Sequence, residues 1–344
     1  MDRYIKLKKG NVEIVVDLMG GYVASYKVGG LELIYNSKNY ENPQWDGNAK
    51  NQFPNTGPVG STNPVYGKLN EYLIEFNGIN KKFTEYMFNG FGFLLPQHGV
   101  PQLVKFRPQA VENDRCLVVI DQYTEGMSSM YPFKFKYGVD YTITNDGKLE
   151  YFAFAKNNDN KDMLAGMGWH PGFVLHSKAE KYKIIVKNLI AEDGCTLQEG
   201  VEYDVAEIIN SKNPVVFQHI KSADIVLLYE KEGGKKIPYI TMHTNEPNLV
   251  LWSKPKNGEN QDNFICIEPW NTTPGQISKL TTQDKTKHLA EGDDPALVLK
   301  PKEEKTMKVV VNVNEDYVKA IQRSKRSSKT AKVENEREDD GMVR

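Results

Sequence analysis

Short runs in which apolar and polar residues alternate recur along most of the chain. In NVEIVVDL, Val12, Ile14 and Val16 alternate with Glu13, Val15 and Asp17, the period of two that turns one face of a strand inward. RCLVVIDQYT, FKFKYGVDYTIT, KLEYFAFAKN, KYKIIVKNL, PNLVLWSKP, NFICIEPW and TMKVVVNVN have the same character. Two glycine pairs mark hairpins: Gly29-Gly30 between VASYKV and LELIY, and Gly233-Gly234 within IVLLYEKEGGKKIPYITMH. Many short strands separated by Asn, Asp, Gly or Pro turns predict an all-β sandwich or barrel of antiparallel sheets. Helical periodicity is nearly absent. EDYVKAIQR, with Tyr317, Ala320 and Ile321 on one side, is the best amphipathic segment.

A length of 344 residues admits one large β domain or two ordinary ones. No internal repeat and no break in composition divides the chain, so a single domain is expected over 1–315. Residues 316–344 read as a short helix and a charged tail, in which RSKRSSKTAK is basic and ENEREDD acidic. Neither stretch carries enough apolar mass to order itself. Residues 36–66 are poor in strand pattern and rich in Asn, Pro and Gly, and a loop of that length in a compact domain is usually functional or mobile.

Charge narrows the ligand. Lys plus Arg number 44 and Asp plus Glu 45, a net charge of -1, which argues against a nucleic-acid surface or a polybasic membrane anchor. Cys116, Cys195 and Cys266 are odd in number, far apart and without CxxC spacing, a usage that fits a reducing compartment. The opening MDRYIKLKKG leads into no apolar segment of signal length, and no window approaches the roughly 18 apolar residues of a membrane helix. The expectation is a cytoplasmic protein, monomer or homodimer, whose partner is a small molecule rather than nucleic acid or membrane.

Two motifs carry candidate chemistry. In GMGWHPGF, Pro171 biases His170 towards an extended backbone and withholds a ladder N–H, so this spot is a strand edge, end or bulge. His170 is either an accessible proton donor of fixed direction or a hydrogen-bonded, half-buried sheet residue. In ICIEPW, Glu268 points away from Ile265 and Ile267, and Pro269 ends the pairing. Glu268 is either a desolvated base beside an indole or an exposed glutamate on an edge strand. Trp169, Trp252 and Trp270 offer flat faces on which a sugar stacks, or else they fill the core. His98, in LLPQHGVPQ, sits at the mouth of a turn. No HxH, HxxxH or HExxH spacing, no Gly-rich phosphate loop and no GxSxG elbow occurs, so no metal site, nucleotide site or serine hydrolase is expected.

Taken in order, GGYVASYKVGGLELIY, QFPNTGPVG, QHGVPQ, GMGWHPGF, NLVLWSKP, FICIEPW and the closing EGDDPALVLKPKEEKTMKVVVNV resemble the galactose mutarotase-like (aldose 1-epimerase) family, in its bacterial branch whose motif ends in EPW. The resemblance implies a β-supersandwich: one domain of two large antiparallel sheets with the sugar in a cleft across the concave one. It implies His170 as the acid that protonates the ring oxygen, Glu268 as the base at the anomeric hydroxyl, and His98 as a hydrogen-bonding partner of the opening ring. Asp224, in SADIVLLY, matches more loosely a sugar-binding Asp. The implied activity interconverts the α and β anomers of a free hexose without metal, nucleotide or redox cofactor. The chain departs from the pattern where TGPVGSTNP lacks an early arginine and Gln102 replaces another, with Lys50 and Lys68 as substitutes whose place is open. Those departures favour, as alternative, a carbohydrate-binding protein with weak or no catalysis, and they weigh against a hexose-phosphate mutarotase, since a phosphate requires basic donors.

Overall fold

The computed structural model describes residues 2–35, 71–76, 79–88, 91–96, 99, 101, 104–121, 131, 133–211, 213–253, 264–272 and 298–325. Among them every strand pairing is antiparallel. The all-β expectation holds. The largest sheet has nine strands, in the order Glu202–Asp204, Tyr182–Ala191, Ile220–Glu230, Lys236–Thr244, Glu304–Val313, Leu149–Asn157, Phe135–Ile143, Arg115–Ile120 and Arg107–Val111. The alternation in KLEYFAFAKN is the reason one face of it is apolar: Leu149, Tyr151, Ala153 and Ala155 are fully buried while the residues between them are half-buried.

The facing layer is assembled from two four-stranded sheets. One is the N-terminal meander Tyr4–Lys9, Val12–Asp17, Tyr22–Val28 and Leu31–Glu32; the other runs Gly172–Val174, Phe264–Trp270, Asn248–Trp252 and Val215–Phe217. A bridge between Ile34 and Phe173 joins them edge to edge. Its hydrogen bonds run from Tyr35 N to the Gly172 carbonyl (2.6 Å) and from Val174 N to the Leu33 carbonyl (2.9 Å). The layers touch through side chains: the Tyr141 hydroxyl donates to the Gly21 carbonyl at 2.9 Å, and Tyr239 donates to the Val174 carbonyl at 3.0 Å. The core lies between them and includes Ile265, Ile267, Leu249, Leu251 and Phe173 from the smaller sheet. Burying each such side chain contributes about 1.5–3 kcal/mol.

Both glycine hairpins form. Gly29 and Gly30, with φ of 58° and 80°, make the two-residue turn between paired Val28 and Leu31. Gly233 and Gly234, at 88° and 80°, lie in a longer loop that Lys231 N closes by donating to the Lys235 carbonyl at 2.9 Å. Both use left-handed conformations that side chains resist. Pro269 differs from expectation: the strand continues through it to Trp270. Proline costs only its own N–H, and the Pro269 carbonyl still accepts from Trp169 N at 3.1 Å.

The predicted terminal helix spans 315–325 and is docked. Tyr317, Val318 and Ile321 are buried in the common core. A hydrogen-bond chain anchors it: Tyr182 hydroxyl to Tyr317 hydroxyl (2.9 Å), Tyr317 to His176 Nδ1 (2.9 Å), and His176 Nε2 to the Glu32 carbonyl (2.8 Å). Burial lowers the His176 pKa to about 4, so the ring is neutral at pH 7, as accepting through Nδ1 requires. Residues 326–344 and all of the 36–66 loop lie outside the described residues. No helix of the described residues is long and apolar enough to cross a membrane.

Candidate active site

The site grows from one antiparallel register. Gly172 pairs with Cys266 and Gly168 bridges to Trp270, so the position between them, His170, stands opposite Glu268. Strand alternation then sends Cys266, Glu268 and Trp270 to one face, with His170 beside them, and Ile265 and Ile267 to the core. Pro171 and Met167 keep the segment on the strand: Ile267 N donates to the Pro171 carbonyl (3.4 Å) and Asn271 N to the Met167 carbonyl (3.0 Å). The Asn271 side chain adds a clamp by accepting from Met167 N at 2.7 Å.

His170 Nδ1 lies 3.4 Å from Glu268 Oε1, long for a hydrogen bond but close for two groups that exchange protons with a common partner. Both are buried, at 6 % and 3 % exposure, which removes the reading of Glu268 as a surface glutamate. Burial pushes its carboxyl well above the usual range, while the Trp270 indole N–H, donating to Oε2 at 3.2 Å, pulls the other way. The effect is a carboxylate that holds protons more tightly when it takes them. Val250, opposite Glu268 on its other side, and the Trp252 ring, edge-on to His170 with centroids 5.9 Å apart, keep the surroundings apolar. Trp252 is partly exposed. Phe264, two residues before Cys266, extends this wall and stacks on Tyr35 at 4.3 Å.

The remaining sequence candidates fall elsewhere. Trp169 lies on the opposite face, 3 % exposed and stacked on Tyr151 at 4.8 Å and 10°; it is a core residue. Its neighbour His170 already implied this, because adjacent strand residues face opposite ways. Trp270 is on the site face but 1 % exposed, where it orients Glu268 and offers no open ring face. Asp224 belongs to the nine-stranded sheet, with its side chain bonded to His243 Nδ1 (2.8 Å) and Asn188 Nδ2 (2.7 Å). The structure does not bring it to the His170–Glu268 pair. His98, Gln102, Lys50 and Lys68 lie outside the described residues.

The aldose 1-epimerase family profile matches residues 75–289, more than half of the chain. The chain belongs to the aldose 1-epimerase family. The fold agrees with solved structures of similar proteins. A galactose mutarotase related enzyme from Lactobacillus acidophilus superposes with a TM-score of 0.62 at 17% identity, over 90% of this chain and 97% of that one. A galactose mutarotase-like protein from Lactobacillus casei gives 0.60 at 15%, over 90% and 100%. Galactose 1-epimerase from Lactobacillus acidophilus gives 0.55 at 14%, over 90% and 94%. None of the curated proteins matches the sequence.

For this aldose 1-epimerase family member, the smaller sheet also assembles something no linear spacing announces. His170, Cys266 and Glu268, all buried, present ring nitrogen, thiol and carboxylate oxygen within 4.8 Å of one another. Motif searches along a chain miss the cluster because Cys266 and Glu268 come from one strand and His170 from the distant segment, between the Gly168 bridge and Gly172, that pairing lays beside it. Only the i, i+2 relation of Cys266 and Glu268 was available to find it.

Proposed function

We propose that the protein is an aldose 1-epimerase that interconverts the α and β anomers of a free hexose, with His170 and Glu268 as the proton-exchanging pair. The observation that supports it best is that pair: an imidazole and a carboxylate 3.4 Å apart on one face of an apolar wall. Glu268 takes the proton from O1 as His170 delivers one to the ring oxygen, and the bond from C1 to the ring oxygen breaks. The open aldehyde turns about C1–C2 and recloses as the two transfers run backwards. The pair begins and ends holding one proton between its two members, so no proton is consumed and the forward and reverse reactions use the same charge state. His98 is assigned, by resemblance, to hydrogen-bond the opening ring, and Trp252 to lie along the sugar. No metal, nucleotide or redox group has a part in these steps.

Anomer exchange followed by proton NMR tests the assignment. Glu268→Gln and His170→Asn are each expected to lower the catalysed rate by about 10²–10⁴-fold, the usual worth of a positioned acid or base. Parental rates in both variants would sink it. A second reading, a saccharide-binding protein with weak or no catalysis, is favoured by the absence of arginine from TGPVGSTNP and by Gln102. Calorimetric saccharide binding without accelerated anomer exchange would select it.

A further inference from the structure

Cys266 stands at the site but takes no part in the proton exchange. Its side chain is fully buried, on the same strand face as Glu268 and two residues from it. The cross-strand row of Cys266 leads to Gly172, two residues from His170. Within this cluster the His170 and Glu268 donor atoms are 3.4 Å apart, and the widest separation is no more than 4.8 Å. A tetrahedral ion with bonds of about 2.0–2.3 Å holds its ligand atoms roughly 3.4–3.7 Å apart. The imidazole and carboxylate therefore already span one edge of such a site, and the thiol completes the triangle by moving inward by about an ångström. The sulfur and nitrogen donors select a borderline-soft ion over Mg²⁺ or Ca²⁺, which prefer all-oxygen cages.

Charge points the same way. Thiolate and carboxylate side by side in an apolar pocket repel. A dication between them removes that repulsion and leaves the cluster with no net charge.

We propose that His170, Cys266 and Glu268 form a site for a thiophilic divalent cation of the Zn²⁺ class, and that the bound ion withdraws the acid and the base from proton exchange, so that metal and sugar turnover compete. The competition rests on the function proposed above; the binding does not. Zinc would shut off catalysis here by occupying its two proton carriers, with Cys266 supplying the affinity.

The test separates the two halves. Co²⁺ is titrated into the full-length protein, and its thiolate charge-transfer absorption and visible bands report a sulfur-ligated, four-coordinate ion. Anomer exchange is measured alongside, with Zn²⁺ and then with chelator. The expected results are a charge-transfer band that Cys195→Ala keeps and that Cys266→Ala and Cys266→Ser lose, and exchange that Zn²⁺ inhibits and chelator restores. In both Cys266 variants exchange persists, with sensitivity to Zn²⁺ reduced at least about 10–100-fold, the loss that even an outer-shell change produces. Absence of the band in the parent protein, or its survival in both Cys266 variants, overturns the site. The band without inhibition, in a protein that catalyses exchange, overturns the competition. The band in a protein that accelerates no exchange upholds the site and sinks the proposed function instead.

Discussion

At the scale of single residues, the two tryptophans that flank the motifs divide along the strand period. Trp169 precedes His170 and therefore turns into the core against Tyr151; Trp270 follows Glu268 by two and shares its face. Their substitutions should share a cost in stability and differ in their effect on catalysis. Trp270→Phe keeps most of the ring but removes the N–H that holds Glu268 Oε2, a hydrogen bond to a charged group worth about 1.5–3 kcal/mol. Anomer exchange should fall roughly 10–100-fold, and because Trp270 is itself buried the denaturation midpoint should fall as well. Trp169→Phe is expected to cost a similar amount of stability, about 1–3 kcal/mol, through lost packing while leaving the exchange rate within a few-fold. Urea denaturation and anomer exchange on the two variants decide the point, and a shared loss of rate would show that the faces do not divide the roles. The same alternation made the Ile265/Ile267 face of the strand legible from the chain. It did not make legible that Glu268 would be buried, since burial depends on what covers a face and not on which residues share it.

At the scale of elements, strands and hairpins were readable because their causes are local. A period of two marks a half-buried strand, and paired glycines mark the tight turn. Sheet order was not readable: Glu304–Val313 inserts between Lys236–Thr244 and Leu149–Asn157, partners separated by tens to more than a hundred residues. The opposition of His170 and Glu268 is of this kind and required the register. The helix at 315–325 illustrates the middle ground. Its apolar face was visible in EDYVKAIQR, but its socket was not, because it joins Glu32 to the 176–182 stretch that carries His176 and Tyr182, two segments far from the helix in the chain. Tyr317→Phe deletes the hydroxyl that links Tyr182 and His176 and leaves the His176 Nδ1 acceptor without its donor. The expected cost is about 1–3 kcal/mol, read as a lower urea midpoint with unchanged anomer exchange. An unaltered midpoint would mean that the helix docks by its apolar contacts alone.

At the scale of the whole molecule, two buried groups bend stability with pH in opposite senses. His176 titrates near 4 in the folded protein, below its ordinary value of 6.5. Between those values the unfolded chain binds a proton that the folded one refuses, so stability falls as pH drops through that window. Glu246, in the turn between Lys236–Thr244 and Asn248–Trp252, is raised from 4.5 to about 7, chiefly by burial and against the pull of the Lys308 backbone N–H and Lys305. There the folded protein keeps a proton that the unfolded chain has lost, and stability falls as pH rises from 4.5 through 7. Glu246→Gln removes this second dependence and retains an oxygen for the Lys308 N–H. Thermal melts from about pH 5 to pH 8 should show the variant gaining on the parent as pH rises, by up to about 3 kcal/mol. A gap that stays constant across that range would contradict the assignment.

The bridge between Ile34 and Phe173 sets a limit on how the protein can be trimmed. The stretch that defines its family starts at residue 75, yet the strand leading out of the His170 turn is hydrogen-bonded on its other side by residues 33–35. A fragment cut to the family stretch would leave Gly172–Val174 as a bare outer edge, its Gly172 carbonyl and Val174 amide exposed to any other chain in search of a strand. The first 35 residues thus act as a built-in edge guard for the reacting pair, and they belong in any minimal version of the protein.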